Sequence, residues 1–265
     1  MPIEQIVVLA IVQGITEFLP VSSSGHLILI PIFTGWPDQG LETDVMVHVG
    51  SLAAILVYFW RDVLMLIGGG LNLLRLRMTD EGRLALYIVA ATVPAILFGL
   101  LLLQIGILDN LRGIEVIGWN AIVFGLLLLI ADSVGARLKR MEDMRFGPAM
   151  MIGLAQALAL IPGTSRSGIT MTAARYLGFT RPEAARFSFL LGIPAMAGAG
   201  LLTAIEANEN GNGISMDQML TAFLSFLSAL VAIAFLMAVV RRMSFLPFVL
   251  YRFLLGGFLL VLAYA

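Results

Sequence analysis

The chain has 265 residues, of which 60% are hydrophobic and 12% charged, and its formal net charge is −1. An average soluble domain is about a quarter charged, so most of this apolar surface is expected to face lipid. The net charge gives no electrostatic argument for nucleic-acid binding, and the absence of cysteine excludes disulfides and thiolate chemistry. The composition therefore indicates an integral membrane protein.

Two kinds of apolar segment follow one another along the chain. Residues 3–33 are interrupted by Pro20 and the polar run 22–26, and residues 147–178 are interrupted at 162–168. Broken backbone survives in hydrocarbon only where protein or water covers it, so each interrupted segment is predicted to be a re-entrant helical hairpin that faces the protein interior. Six other segments are long enough to span a bilayer as helices: 45–60, 84–106, 114–132, 187–205, 217–240 and 246–264. The predicted fold is an all-α polytopic membrane protein.

The distribution of basic residues predicts how the chain crosses the membrane. Four segments are rich in Lys and Arg, whereas the segments that alternate with them contain a single basic residue, Arg112. The basic segments are 61–83, 133–147, 175–186 and 241–242, and the others are 34–44, 105–113 and 206–216. The positive-inside rule places the basic segments in the cytoplasm, so the first hairpin enters from outside and the second from the cytoplasm.

This alternation predicts an inverted-topology repeat, in which residues 1–132 and residues 133–265 each contain one hairpin and three spans. Four identities at a spacing of 143 residues support it: Gln13 with Gln156, Ser22 with Ser165, Ser24 with Ser167, and Gly25 with Gly168. Inverted repeats usually place their binding site on broken helices near the membrane midplane. We therefore expect the site where the two hairpins meet.

An acidic residue lies inside the first apolar helix. Glu17 follows Gln13 by four residues, so the two side chains share one helix face. An ionisable residue in such a segment is costly and is functional by default, which makes Glu17 a candidate catalytic residue. Gln13 is either a helix-packing hydrogen bonder or a substrate ligand.

The break in the first hairpin is rich in serine. Pro20 is expected to end the first helix near Leu19, and Ser22 or Ser23 can cap the next helix, whose free N–H groups favour an anion. If Ser23 is the cap, His26 lies one turn on, close to the same anion. The serines are caps alone or ligands as well, and His26 is a satisfied core histidine or a chemical group. The candidate catalytic residues here are Ser23 and His26, and the candidate substrate ligands are Ser22, Ser24 and Gly25.

The break in the second hairpin contains Arg166, well inside an apolar region. A guanidinium matches phosphate geometry with a bidentate fork and stays charged, so Arg166 is predicted to contact phosphate. The alternatives are a snorkelling side chain or a structural ion pair with Glu17. Thr164 or Ser165 can cap the following helix. The candidate substrate ligands on this hairpin are Thr164, Ser165, Ser167, Gly168 and Thr170.

Three further polar residues receive structural interpretations. His48, in the first span, is predicted to be a packing histidine. Arg252, near the cytoplasmic end of the last span, is predicted to snorkel towards the interface. Asp132, at the end of the third span, is predicted to lie at the membrane interface.

Taken together, the two motifs resemble the undecaprenyl-diphosphate phosphatase family, the membrane enzymes linked to bacitracin resistance. Its first motif is an acidic or amide residue four before a glutamate, then Pro-Val-Ser-Ser-x-Gly-His, and Gln13, Glu17 and residues 20–26 match it. Its second motif, Pro-Gly-x-Ser-Arg-Ser-Gly, is matched by residues 162–168. Many relatives have glutamate where this chain has Gln13, so a second carboxylate at that position cannot be required here.

The resemblance implies hydrolysis of undecaprenyl diphosphate to undecaprenyl phosphate and inorganic phosphate, which recycles the carrier lipid for cell-wall synthesis. It implies a divalent cation, Mg²⁺ or Ca²⁺, a location in the bacterial plasma or inner membrane, and a fold similar to the inverted repeat above. The expected partners are a polyprenyl diphosphate lipid and membrane lipids. The oligomeric state, a homodimer included, stays open.

A mechanism follows as a hypothesis. The hairpins meet tip to tip, the diphosphate lies between two helix N-termini, and Arg166 neutralises the charge of the transferring phosphate. Ser23 either is the nucleophile or positions the diphosphate. A serine nucleophile needs a base, and His26 or Glu17 could serve. Glu17 could instead bind the metal. A phosphoserine intermediate and direct attack by water both remain open, and the site is expected to open outward.

The competing function is a lipid-phosphate transporter, or flippase, that uses the same site without hydrolysis.

Overall fold

The computed structural model describes residues 1–107, 109–134, 138–209 and 215–265. Arg137, which contributes to the predicted topology, lies outside these residues. The part of the chain that the structure describes is folded into eleven α-helices joined by short turns, which confirms the all-α prediction. The helices are α1 Ile3–Phe18, α2 Ser23–Thr34, α3 Gly40–Tyr58, α4 Trp60–Leu74, α5 Asp80–Ile105, α6 Ile114–Val134, α7 Phe146–Ala157, α8 Arg166–Tyr176, α9 Arg181–Glu209, α10 Met216–Val240 and α11 Leu246–Tyr264.

Helices α5, α6, α9, α10 and α11 are each long and apolar enough to cross a membrane. Helices α3 and α4 pass the same test only as a pair, and they are bent by 88° at the break between them. The described residues therefore contain five candidate spans, or six if the bent pair counts as one. Large apolar side chains cover the outer faces of these helices, as expected of a surface that contacts lipid. The prediction of a polytopic membrane protein is confirmed.

The first helix of each hairpin packs closely against a long span. A Cβ added to Gly153 of α7 would lie 2.2 Å from the carbonyl oxygen of Ala91 on α5. A Cβ added to Gly14 of α1 would lie 2.7 Å from the backbone nitrogen of Ala229 on α10. Small residues allow helix backbones to approach this closely in a membrane, where apolar burial gives helices little reason to associate. These contacts fix the positions of α1 and α7.

The helices of both hairpins begin and end close to the predicted breaks. Helix α1 ends at Phe18, one residue before the predicted Leu19, and α2 begins after Ser22. Helix α7 ends at Ala157 and continues as one 3-10 turn to Leu160, and α8 begins after Ser165. Both predicted helical hairpins are therefore present.

Ser22 and Ser165 cap α2 and α8 in the same way. Ser22 has φ 77° and its hydroxyl accepts from the Gly25 amide, at 3.4 Å. Ser165 has φ 73° and its hydroxyl accepts from the Gly168 amide, at 3.0 Å. A positive φ is uncommon for a residue with a side chain, and such strain concentrates at functional sites. Of the alternatives that the sequence left open, Ser22 and Ser165 are the caps.

The tips of the two hairpins meet, and a buried arginine holds them together. Arg252 of α11 is fully buried, so the prediction that it snorkels is wrong. Its guanidinium donates at 2.9–3.2 Å to five backbone carbonyls, which belong to Pro20, Asn120, Ala121, Gly163 and Thr164. The carbonyls come from both hairpin tips and from α6, so one side chain ties three segments into a single unit.

Asp132, near the end of α6, is buried inside the bundle, and its position at the depth of the membrane interface stays a prediction. Its carboxylate accepts from Arg175 at 3.0 Å and from Arg181 at 2.8 Å. It also accepts from the backbone amide of Phe245, at 3.1 Å. This network joins the ends of α6 and α8 to the starts of α9 and α11.

Candidate active site

A cavity of about 310 Å³ lies where the hairpin tips approach α3, α5 and α9. Its polar wall consists of Glu17, Ser23, Ser24, Asp44, His48, Gln156, Ser165 and Arg166. Its apolar wall consists of Val45, Ala95, Ala159, Leu160, Ala195, Met196 and Ala199. The lining of the cavity therefore combines charged and polar groups with apolar side chains, four of which are alanines.

An ion pair between the two hairpins lies in the wall of this cavity. Nη2 of Arg166 donates to Oε1 of Glu17 at 2.8 Å, and the two side chains are 16% and 4% exposed. The residues are 149 positions apart in the chain, so only the meeting of the tips brings them together. Of the four residues predicted to converge in one cavity, Glu17, Ser23 and Arg166 line it, and His26 is not among its lining residues.

The other carboxylate oxygen of Glu17 contacts residues of the first hairpin. Ser23 Oγ donates to Oε2 at 2.6 Å, and Gln13 Nε2 donates to the same atom at 3.0 Å. A hydroxyl bonded to a buried carboxylate has the arrangement of a nucleophile and its base. Gln13 shares a helix face with Glu17, as predicted, and its amide orients the carboxylate.

His48 faces the same carboxylate, so the prediction that it is a packing histidine is wrong. Its Nδ1 lies 2.6 Å from the carbonyl oxygen of Asp44. A carbonyl can only accept, so Nδ1 carries a proton and Nε2 is the nitrogen that faces the cavity. Nε2 lies 3.6 Å from Oε2 of Glu17. An ionisable residue inside an apolar span was the sequence signal that could have identified His48.

The structure does not bring His26 to the cavity. Its Nδ1 lies 2.7 Å from the carbonyl oxygen of Ser22, and its Nε2 lies 2.6 Å from the hydroxyl of Tyr251 on α11. The two rings are stacked, with centroids 5.8 Å apart. Both ring nitrogens therefore have partners at a different surface of α2, and His26 is not in contact with the Glu17 carboxylate.

The remaining residues proposed from the sequence divide into two groups. Ser24 and Ser165 line the cavity, whereas the others form the structure behind its wall. Ser167 Oγ donates to the carbonyl of Leu19 at 3.0 Å, and Thr170 Oγ1 lies 2.6 Å from the hydroxyl of Ser188. Thr164, Gly25 and Gly168 are buried in the tips, where a Cβ on Gly25 would lie 3.7 Å from Cα of Gly163.

Helix α9 provides the space that Arg166 occupies. A Cβ added to Gly192 would lie 1.9 Å from Nη1 of Arg166 and 2.7 Å from its Cζ. Nη1 is also 3.5 Å from the carbonyl oxygen of Ser188, one turn earlier in the same helix. The guanidinium thus occupies the space left by the absent side chain of Gly192 and is oriented by its ion pair with Glu17.

A second cavity, of about 840 Å³, lies between α4, α5 and α7. It is lined by acidic residues and arginines together, among them Glu81, Glu142 and Arg145, and by none of the residues proposed from the sequence. Its opposite charges balance one another, so it lacks the single-sign field that would select an anion. The candidate site is therefore the smaller cavity at the hairpin tips.

Residues 6–258 of the chain match the family described as bacitracin resistance protein BacA. The chain is 49% identical to an undecaprenyl-diphosphatase of Erythrobacter litoralis, over 97% of this chain and 98% of that protein. It is 49% identical to an undecaprenyl-diphosphatase of Jannaschia sp., over 97% of each chain. It is 47% identical to that of Ruegeria sp., over the full length of both. With the family matched across nearly all of the sequence, the chain belongs to the bacitracin resistance protein BacA family.

Proposed function

We propose that this chain is an integral membrane phosphatase that hydrolyses undecaprenyl diphosphate to undecaprenyl phosphate and inorganic phosphate. The observation that carries the proposal is the contact of Glu17 with both Arg166 and Ser23 in a cavity at the hairpin tips. Full-length relatives named undecaprenyl-diphosphatase support the same activity.

The two kinds of side chain in the cavity wall suit the two parts of this substrate. Arginine binds phosphate through a planar fork of donors, so the diphosphate belongs beside Arg166. The alanines of α5 and α9 in the same wall suit an isoprenoid chain. A lipid bound in this way keeps its tail in an apolar environment while its headgroup reaches the buried carboxylate.

In the proposed reaction, Ser23 Oγ attacks the terminal phosphorus and its proton passes to Glu17. The Oγ–P bond forms as the bond between the terminal phosphorus and the bridging oxygen breaks, and undecaprenyl phosphate leaves. Water then hydrolyses the phosphoserine to release inorganic phosphate. Arg166 stabilises the negative charge on the transferring phosphate, and His48 is close enough to Glu17 to exchange a proton with it.

A divalent cation, Mg²⁺ or Ca²⁺, belongs to this proposal. Among the described residues, no group of three or more His, Asp and Glu side chains could hold a metal ion. The fit is that of an ion held largely by its substrate, since Mg²⁺ commonly takes one or two carboxylates and completes its shell with phosphate oxygens and water. Glu17 and the buried, unpaired Oε1 of Gln13 are the oxygen donors that would hold it. Such an ion supplies neutralisation of the diphosphate charge.

The proposal also includes the inverted repeat of residues 1–132 and 133–265, with six spans and two re-entrant hairpins. The matching caps of Ser22 and Ser165 support it, because they lie 143 positions apart and have the same backbone conformation. The packing of α1 on α10 and of α7 on α5 supports it as well, since α5 and α10 hold equivalent places in the two halves.

The function is tested with the purified chain in detergent, supplied with a polyprenyl diphosphate and Mg²⁺ or Ca²⁺. We expect release of one inorganic phosphate per lipid, and no release when a chelator removes the metal. A polyprenyl monophosphate serves as the control substrate and should yield no phosphate. Binding of the diphosphate without release would contradict a phosphatase and would favour a lipid-phosphate transporter.

Ser23→Ala should reduce phosphate release by about a hundredfold or more, because it removes the proposed nucleophile. Ser24→Ala is the matched comparison, since Ser24 lines the same cavity but its hydroxyl lies 3.4 Å from Ser22 and makes no bond to Glu17. The measurements are the rate of phosphate release and the trapping of phosphoenzyme by acid quench. If Ser23→Ala loses less than tenfold and the wild type gives no phosphoenzyme, water attacks directly.

Gly192→Ala should reduce phosphate release by roughly ten- to a hundredfold, because an ångström-scale displacement of a catalytic group has this effect. The new methyl group would overlap the guanidinium of Arg166. Gly198→Ala in the same helix is the control, since a Cβ there would meet no atom within 4 Å. Equal activity of the two variants would show that the position of Arg166 does not matter.

A further inference from the structure

The side-chain amide of Gln156 is buried and forms no hydrogen bond with the described part of the protein. The residue is 2% exposed, and neither its Nε2 nor its Oε1 has a hydrogen-bond partner among the described residues. Buried polar side chains in folded proteins are almost always paired. An amide with both ends unpaired therefore indicates that its partner arrives from outside the chain.

The position of Gln156 indicates what that partner is. The residue lies near the end of α7 and lines the same cavity as Arg166. Ala159 and Leu160, three and four positions later, belong to the apolar wall of the cavity. Gln156 is thus a polar residue of the cavity wall that is followed, on the same hairpin, by apolar residues of that wall. Gln13, its counterpart on the other hairpin, is instead bonded to Glu17.

We propose that Gln156 binds the phosphate that carries the polyprenyl chain, with Nε2 donating to one of its non-bridging oxygens. This inference rests on the proposed function, since it assigns the two phosphates of the substrate to different residues. Glu17, Ser23 and Arg166 act on the terminal phosphate, which is transferred. Gln156 holds the phosphate that remains on the lipid and leaves with it.

The chain offers a matched control for this residue. Gln5 on α1 is also a glutamine and is also 2% exposed, but its Nε2 donates to the carbonyl of Pro37 at 2.9 Å. It does not line the cavity. Replacement by methionine keeps the size and flexibility of either side chain and removes only its polar atoms. Gln5→Met therefore measures the effect of removing an amide that is hydrogen-bonded within the protein. Gln156→Met measures the effect of removing an amide that has no partner among the described residues.

The experiment measures binding as well as turnover, in the full chain purified in detergent. Gln156→Met should raise the KM for a polyprenyl diphosphate about tenfold, the factor that corresponds to one hydrogen bond to a charged group. It should weaken inhibition by a polyprenyl monophosphate by a similar factor and leave inhibition by inorganic phosphate unchanged. Its thermal stability should equal or exceed that of the wild type. Gln5→Met should lower thermal stability and leave KM and both inhibition constants unchanged.

Gln156→Glu provides a second variant of the same size. Its carboxylate would repel the lipid-bearing phosphate, so the loss of affinity for the polyprenyl monophosphate should exceed that of Gln156→Met. An unchanged affinity in both variants would overturn the proposal, and so would an equal loss for the monophosphate and for inorganic phosphate. A fall in stability as large as that of Gln5→Met, with KM unchanged, would show a structural role. A wild-type chain that binds the polyprenyl monophosphate but releases no phosphate from the polyprenyl diphosphate would contradict the proposed function. It would leave the assignment of Gln156 intact.

Discussion

Replacing Arg166 by alanine should reduce phosphate release by about a hundredfold or more, because it removes the donor that stabilises charge on the transferring phosphate. It also leaves the buried carboxylate of Glu17 without its ion-pair partner. Arg166→Lys should recover only part of the loss, since an ammonium cannot reproduce the bidentate fork of a guanidinium. Arg83→Ala is the control, because Arg83 is exposed and its ion pair is with Asp80, an exposed residue one turn earlier in α5.

A double-mutant cycle with Glu17→Ala tests whether the two residues act as a unit. Glu17→Ala alone should lose about as much activity as Arg166→Ala, and the double variant should lose little more than either one. Groups that act together in one reaction step show this strong non-additivity. If the losses of the two single variants multiplied in the double variant, the contact at 2.8 Å would join residues with separate roles. Near-normal turnover in either folded single variant would contradict the proposed function.

Replacing Arg252 by methionine should have the largest effect on stability. The substitution leaves the carbonyls of both hairpin tips buried without a donor, and each hydrogen bond from a charged group contributes about 1.5–3 kcal/mol. A total loss on the order of 5 kcal/mol is expected, near the upper end for single substitutions. The measurement is thermal unfolding in detergent, followed by size-exclusion chromatography and circular dichroism.

Arg242→Met is the control for this variant, because Arg242 is an exposed arginine beyond the end of α10. It should leave the unfolding temperature unchanged. Arg252→Lys should be nearly as unstable as Arg252→Met, since one ammonium cannot reach carbonyls on three segments. A folded and active Arg252→Met variant would show that the hairpin tips are held by packing alone.

Local sequence patterns were sufficient to predict the membrane spans and the breaks between the helices of each hairpin. The length of the apolar segments identified the spans, and Pro20 together with the serine run located the break in the first hairpin to within a residue. Glu17 and Arg166 stood out because a charge in an apolar segment is costly unless it is used. The prediction that they meet combined the two breaks with the charge distribution, and the structure confirms that contact.

The direction in which a side chain points was much less predictable, and the two histidines show why. A helix advances by about 100° per residue, so beginning α2 after Ser22 rather than after Ser23 rotates every later side chain by that amount. His26 consequently contacts Tyr251 instead of Glu17. His48 lies in a span whose orientation depends on packing against α9 and α10, and no local pattern encodes that.

Arg252 escaped prediction for a related reason. Its partners are backbone carbonyls, which every residue possesses, so no complementary residue type in the sequence announces the contact. The arginine alone is consistent with snorkelling, and only the arrival of both hairpin tips beside α11 makes burial favourable. The same holds for Gln156, whose unpaired amide is a property of the folded cavity.

The interlocked tips have a consequence for how the protein is made. The carbonyl of Pro20 in the first hairpin is paired with Arg252 on α11, 232 positions later in the chain. An unpaired carbonyl in hydrocarbon costs several kcal/mol, so the first hairpin should stay shallow, in contact with headgroups or water, until α11 has been synthesised. A nascent chain halted before α11 should therefore hold its first hairpin near the membrane surface.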